Sequence, residues 1–216
     1  MKRFKKILMM VLVIFGPISF FYFLSRGEYH FKKLPYLSDD KNGKPASYDS
    51  FALTDQFGQT LTPDSLKGHL VVVNYMDKGC PYDCKMDGQM MKLVVYKEIT
   101  GASGFRDVIL ITEVNDSVAA NRKRIQESLD VDGKRWKFVY SKEFSFFNTM
   151  INKSNPYTTD DKKYKDGKVY QRSMLLLDKE LKIRGFIDNS ANIEFKRLNE
   201  EMRLLKKEYA KSKKVL

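Results

Sequence analysis

Cysteine and histidine are scarce in this chain: 216 residues contain two of each, Cys80 with Cys84 and His30 with His69. Two cysteines cannot build a disulfide scaffold, so the fold must rest on an ordinary hydrophobic core. The chain has no internal repeat and no low-complexity tract, which excludes solenoid and fibrous architectures. Acidic residues are also outnumbered, 27 against 39 Lys and Arg, for a net charge of +12. No nucleic-acid recognition motif accompanies that excess, so nucleic acid is not an expected partner. The charge reads instead as solvated faces and a basic tail near anionic lipid or an acidic partner.

One long apolar run is present. Residues 7–24 carry no charge, and Lys2, Arg3, Lys5 and Lys6 precede them. The length is close to the roughly 17–25 residues a membrane-spanning helix needs. The basic flank orients the N-terminus toward the cytoplasm. No small-x-small cleavage site follows, which favours a retained anchor over a cleaved signal peptide. No cysteine follows closely, which argues against a lipoprotein signal. The expected organisation is a cytoplasmic flank at 1–6, a transmembrane anchor at 7–24, a linker at 25–46 and one domain at 47–216. The expected location is a bacterial inner membrane, single-pass, with the domain facing the periplasm.

Within the domain, Phe51–Thr54 and Gln59–Thr62 flank Asp55-Gln56-Phe57-Gly58, a hairpin pattern. Residues 63–68 read as a turn into an apolar strand at 69–76. A helix opened by Cys80 extends to about Ile99. A second apolar strand covers 107–114, and Asn115-Asp116-Ser117 offers N-cap chemistry for a helix reaching Leu129. A short strand at 137–140, a short helix at 143–151, a polar insertion at 152–168 and strands at 174–178 and 182–187 follow. The last helix carries Leu198, Met202, Leu205 and Tyr209 on one face. Strands alternating with helices predict an α/β domain with helices on the sheet faces. The strands at 69–76 and 107–114 should be central and parallel, with the cysteines at the carboxyl end of the first, where open α/β sheets gather ligand chemistry.

Pro81 favours a helix start just after Cys80. A thiol there feels the positive end of the helix dipole, which favours thiolate. Cysteines at i and i+4 share one helix face. They can close a disulfide or grip a soft metal ion. Lys78 and Lys85 favour the thiolate and Asp83 opposes it. Cys80 is the expected attacking thiol and Cys84 the resolving one. A purely structural disulfide is the plainer reading, although so short a loop constrains little chain entropy. Asp77, Asp83 and Asp87 match no oxygen-ligand loop and read as solvated charges.

The chain resembles the SCO/SenC family from about Leu34 to Leu205. The likeness is carried by Phe51-Ala52-Leu53-Thr54-Asp55-Gln56-Phe57-Gly58, Leu66-Lys67-Gly68, the C-P-x-x-C pattern at 80–84, Trp136-Lys137-Phe138 and Leu175-Leu176-Leu177-Asp178-Lys179-Glu180. The resemblance implies a thioredoxin-like fold with a central mixed sheet flanked by helices. It also implies Cu(I) and thiol handling in cytochrome c oxidase assembly, with Cys80 and Cys84 as catalytic and metal-binding residues. The implied partner is a cytochrome c oxidase subunit or another cysteine-bearing metalloprotein.

Three departures stand out. The family's copper-ligand histidine falls on Tyr170, its proline after the second cysteine is Lys85, and a glycine of the late hairpin is Leu181. A phenol is a poor donor for a soft ion. Met86, Met90 or Met91 offers a thioether instead, although methionines on such a helix more commonly fill a core. The lost imidazole shifts weight toward thiol-disulfide exchange, which needs only the two cysteines. A divergent binding or assembly protein without chemistry is a third reading.

Overall fold

The structure is a computed structural model that describes residues 4–6, 13, 15–17, 19, 20, 22, 33–37, 45, 47–76, 88–101, 105–115, 119–147, 173–188 and 191–212. The chain divides into two compact units, Met1–Lys32 and Lys33–Leu216. In the first, the described residues are helical, and Phe4, Val13, Phe15, Phe20 and Tyr22 are exposed. Among the described residues no helix is long and apolar enough to cross a membrane. Most of 7–24 lies outside them.

The second unit is built on a five-stranded mixed sheet. Its strands are β3 (Leu70–Met76), β4 (Val108–Val114), β5 (Trp136–Val139), β6 (Ser173–Leu177) and β7 (Ile183–Asp188), in the spatial order β5-β4-β3-β6-β7. A hairpin of β1 (Leu53–Thr54) and β2 (Thr60–Leu61) precedes it. As the apolar runs predict, β3 and β4 are central and parallel, Leu70 opposite Val108 through Met76 opposite Val114. β5 also runs parallel to β4, while β6 is antiparallel to β3 and β7 is antiparallel to β6.

Strand side chains alternate between faces, and both faces are covered, which is why these strands read as near-continuous apolar runs. Leu70, Val72, Leu110, Trp136, Phe138 and Leu176 face one side. There they meet a helix wound as a π-helix over Met91–Tyr96 that continues as α2 (Lys97–Gly101). The helices α3 (Arg122–Leu129) and α4 (Asn192–Ser212) complete that layer. In α4 the predicted face of Leu198, Met202 and Leu205 is buried.

The sheet is mixed and flanked by helices as expected, and its opposite side carries a different mixture of elements. Val71, Val73, Ile111, Val139, Leu175 and Leu177 pack there against Leu37, Tyr48, Phe51, Leu53, Leu66, Phe146 and Phe147. Among the described residues this layer is the hairpin, the one-turn helix α1 (Pro63–Leu66), the N-terminal segment and the helical turn at 146–147. An edge-to-face aromatic cluster, with Tyr48 and Phe146 ring centroids 5.0 Å apart, does the filling.

Two local differences have physical causes. Residues 63–66 form a helical turn rather than a simple turn, because Pro63 presets its first position and Ser65 Oγ accepts the Thr62 N–H at 3.0 Å. The helix α3 ends at Leu129 as the sequence predicts, and residues 116 and 117 of the predicted N-cap lie outside the described residues. Part of the 25–46 stretch belongs to the domain: Leu37 is buried and its N–H bonds the Ile183 carbonyl at 3.0 Å. That bond and the Ser47–Lys182 bridge cover the β7 edge.

Candidate functional site

The parallel strands β3, β4 and β5 end together. Tyr75, Glu113 and Val139 stand in one row, and Met76 pairs with Val114 at the rim. The Asn115 N–H closes that rim by bonding the Met76 carbonyl at 3.1 Å. In sequence the cysteine segment follows Met76 directly. Cys80 and Cys84 lie outside the described residues, as do Asp77, Lys78, Asp83, Lys85, Met86, Asp87, His30 and Tyr170. The chain re-enters the described structure at Gly88 and continues into the π-helix. Inside that helix the Val94 carbonyl accepts from Asn199 Nδ2 at 2.9 Å, a side-chain partner from α4.

Beneath this rim, a buried polar chain crosses three strands. Trp136 Nε1 donates to Thr112 Oγ1 at 2.8 Å, and Thr112 Oγ1 donates to Asn74 Oδ1 at 2.7 Å. All three residues are almost fully buried. Each hydrogen bond satisfies a group whose burial would otherwise cost about 1–3 kcal/mol. Trp136 belongs to a stretch quoted from the sequence, but Asn74 and Thr112 were not singled out. The available signal was a polar interruption near the end of each apolar strand, Asn74 in β3 and Thr112-Glu113 in β4.

Glu113 is the other buried polar group at this rim. Its Oε2 accepts the Phe146 N–H at 3.0 Å. Burial pushes its carboxyl up to about 7, with the Ser145 hydroxyl and the Phe146 N–H opposing the rise.

The alternative copper donors separate clearly. Met91 is fully buried in the core and Met90 packs half-buried against it, so Met91 is core filler rather than a rim ligand. His69 sits just before Leu70, at the opposite end of β3 from the cysteine segment. A seven-residue strand separates the two ends by roughly 23 Å at ~3.3 Å per residue. Among the described residues no cluster of three or more His, Cys, Asp or Glu could hold a metal ion.

The quoted motif at 51–58 also finds its place. Asp55 is buried, and its Oδ1 accepts the N–H groups of Phe57 (2.8 Å) and Gln59 (2.9 Å). Its Oδ2 pairs with Lys137 Nζ at 3.0 Å. Burial alone would raise its pKa, but Lys137 and the two N–H groups outweigh burial and hold the carboxyl below its ordinary value.

No family model matches the sequence, and no curated protein matches it. Solved structures do match in fold. A SCO1/SenC family lipoprotein from Bacillus anthracis is 22% identical with a TM-score of 0.52, over 75% of this chain and 97% of that one. BsSco, a member of the Sco family of cytochrome c oxidase assembly proteins described for its disulfide switch, is 17% identical with a TM-score of 0.52, over 76% of this chain and 96% of that one. Copper-bound yeast Sco1 is 16% identical with a TM-score of 0.50, over 74% of this chain and 95% of that one. The fold is SCO-like. In this SCO-like thioredoxin fold the matched chains are covered almost end to end, so the likeness extends over the domain rather than one motif.

Proposed function

We propose that this chain is a membrane-anchored, SCO-like protein that handles Cu(I) and thiols during cytochrome c oxidase maturation through Cys80 and Cys84. The observation that carries the reading is the position of β3. It is the central strand of a SCO-like sheet, and the only two cysteines of the chain follow its carboxyl end in a C-x3-C pattern. Residues 7–24 supply the anchor, and the domain works on the periplasmic side of the bacterial inner membrane. The partner is a cytochrome c oxidase subunit or another metalloprotein with exposed cysteines.

The donor set fits a soft monovalent cargo. Two thiolates suit Cu(I) in a linear site. Of the described third-donor candidates, His69 is at the opposite end of β3, Met91 is in the core and Met90 is half-buried. That placement favours a second reading, thiol-disulfide exchange with a partner's metal-binding cysteines, in which Cys80 attacks and Cys84 resolves the mixed disulfide.

The deciding experiment titrates Cu(I) into the reduced full chain against a competing chelator, with the Cys80→Ser/Cys84→Ser double variant as control. Cysteine-dependent binding at one ion per chain supports copper handling, and Tyr170→His should then tighten it. Absent or cysteine-independent binding rejects the copper role. The Cys80–Cys84 reduction potential then tests the exchange reading.

A further inference from the structure

The helix that follows the cysteine segment changes type part-way. Residues 88–90 are α-helical, Met91–Tyr96 are wound as a π-helix, and α2 completes the run. The wider pairing shows at the end of the π turn, where the Lys97 N–H bonds the Lys92 carbonyl five residues back. Such turns are uncommon inside helices, and a side chain inserted into the helical ladder is one cause of a local departure. Asn199 of α4 is such a side chain: its Nδ2 donates to the Val94 carbonyl at 2.9 Å, inside the π turn. It is buried on the helix face that otherwise carries Phe195, Leu198, Met202 and Leu205. A buried amide among apolar neighbours costs free energy unless it is hydrogen-bonded. A lone buried asparagine in a helix seam fixes the register of the partner helix.

That register matters at the other end of the same helix. Gly88 is buried where the chain re-enters the described structure, and a Cβ there would stand 3.4 Å from Leu129 Cδ2 and 3.8 Å from Met76 Cε. Met76 is the last residue of β3. The segment that carries Cys80 and Cys84 therefore leaves and rejoins the described structure at neighbouring points. Rewinding the π turn as α-helix would advance the N-terminal part of the helix by one residue, about 100° of rotation and ~1.5 Å of rise. Gly88 would be carried away from Leu129 and Met76, and the larger Gln89 would be brought toward its place. The π turn thus sets where one end of the cysteine segment is fastened.

We propose that Asn199 is a positioning residue for the cysteine pair. Its hydrogen bond to Val94 holds the π turn, the π turn holds Gly88 beside Met76, and that fastening tunes the reactivity of Cys80 and Cys84. A thiol's reactivity follows its thiolate fraction and its access, and both change with the geometry of the backbone that carries it. The inference rests on the reading of these two cysteines as the reactive pair, and it needs no copper.

The test follows iodoacetamide alkylation of the reduced, metal-free full chain in detergent from pH 5 to pH 9, with the rate at each cysteine read by peptide mass spectrometry. Asn199→Leu removes the donor and keeps a side chain of similar size. It should change the rate of at least one cysteine at pH 7 by ~threefold or more and displace its pH profile. Met202→Ala opens a packing defect on the same face of α4 and keeps the bond to Val94. It should lower the melting temperature and leave both profiles in place. Gly88→Leu crowds Leu129 and Met76 from the other end with the Asn199 bond intact, and should displace the profile of the same cysteine. An Asn199→Leu profile that superimposes on wild type overturns the proposal, as does an unchanged profile in Gly88→Leu. A Met202→Ala profile displaced as far as that of Asn199→Leu overturns it too, because general loosening then accounts for the effect. Copper handling is decided separately by the Cu(I) titration, so a chain that binds no copper can still show these displacements.

Discussion

Gln56 behaves as a piece of β-strand toward Phe138. Its Oε1 accepts the Phe138 N–H at 3.0 Å, while its Nε2 donates to the Trp136 carbonyl at 3.3 Å. One side-chain amide thus occupies the free edge of β5, and backbone pairing of Thr54 with Tyr140 continues the cover. An uncovered edge strand would expose unpaired N–H and C=O groups. The fit is close: a Cβ on Gly133 would come within 2.6 Å of Gln56 Nε2.

Gln56→Ala should therefore destabilise the domain by about 1–3 kcal/mol, since it leaves a buried N–H on Phe138 without its acceptor. Urea denaturation of wild type and variant measures the difference. A change under ~0.5 kcal/mol would mean that water replaces the amide at no cost.

Leu181 has φ +59°, the left-handed conformation that glycine adopts easily and leucine does not. It sits in the β6–β7 turn, where Asp178 Oδ1 accepts the N–H groups of Glu180 and Lys182, both at 3.0 Å. Where the SCO/SenC resemblance leads one to expect glycine, this chain has a side chain that is itself buried in the second face of the core. Burial of about 1.5–3 kcal/mol offsets a backbone cost of about 1–2 kcal/mol. Both Leu181→Ala and Leu181→Gly should destabilise. The glycine variant should be the more stable of the two by about 1 kcal/mol, the reverse of the usual Ala–Gly order. Equal or inverted melting temperatures would show that the φ strain is not stored.

Gly185 lies under α4. A Cβ there would stand 2.7 Å from Glu201 Oε2 and 3.3 Å from Leu176 Cβ. Gly185→Ala should cost about 1–3 kcal/mol through overpacking. Adding Glu201→Ala should recover part of that loss, although Glu201→Ala by itself removes the partner of Arg197 Nε at 2.9 Å. A double-mutant cycle with no coupling would place the strain elsewhere.

Asp55 and Glu113 predict opposite pH dependences. The Asp55 carboxyl is held below its ordinary 3.8, so its stabilisation is complete above that value and is lost as pH falls through the folded-state pKa. The Glu113 carboxyl is raised from 4.5 to about 7, so its contribution is largest in acid and is lost as pH rises toward 7. Asp55→Asn should flatten the acid limb of a stability–pH curve. Glu113→Gln should raise stability at pH 8 by about 2–3 kcal/mol while changing little at pH 4.5. A Glu113→Gln variant no more stable than wild type at pH 8 would contradict the burial of that charge.

Much of the architecture was legible in the residues. Continuous apolar runs marked β3 and β4 as buried on both faces, and the i, i+4, i+7 spacing marked α4, because burial imposes those periods on sequence directly. The same local rules placed the hairpin around Asp55-Gln56 and the strand pair around Asp178. They also put the C-x3-C pair directly after β3, and carried the likeness to SCO proteins that the fold bears out.

What the tertiary structure alone decided concerns contacts between residues far apart in the chain. No local pattern assigns Gln56 to the edge of β5, Tyr48 to the Phe146 carbonyl, or Glu113 to the Phe146 N–H, since each pair spans a loop whose path the sequence does not encode locally. The sequence did suggest that Met91 fills the core and that His69 lies at the far end of β3, but not that Tyr48, Phe51, Phe146 and Phe147 join in packing the second face of the sheet. Hydrophobic periodicity says which residues leave water; only three-dimensional packing says which partners they meet, and those partners set the pKa of Glu113 and the strain at Leu181.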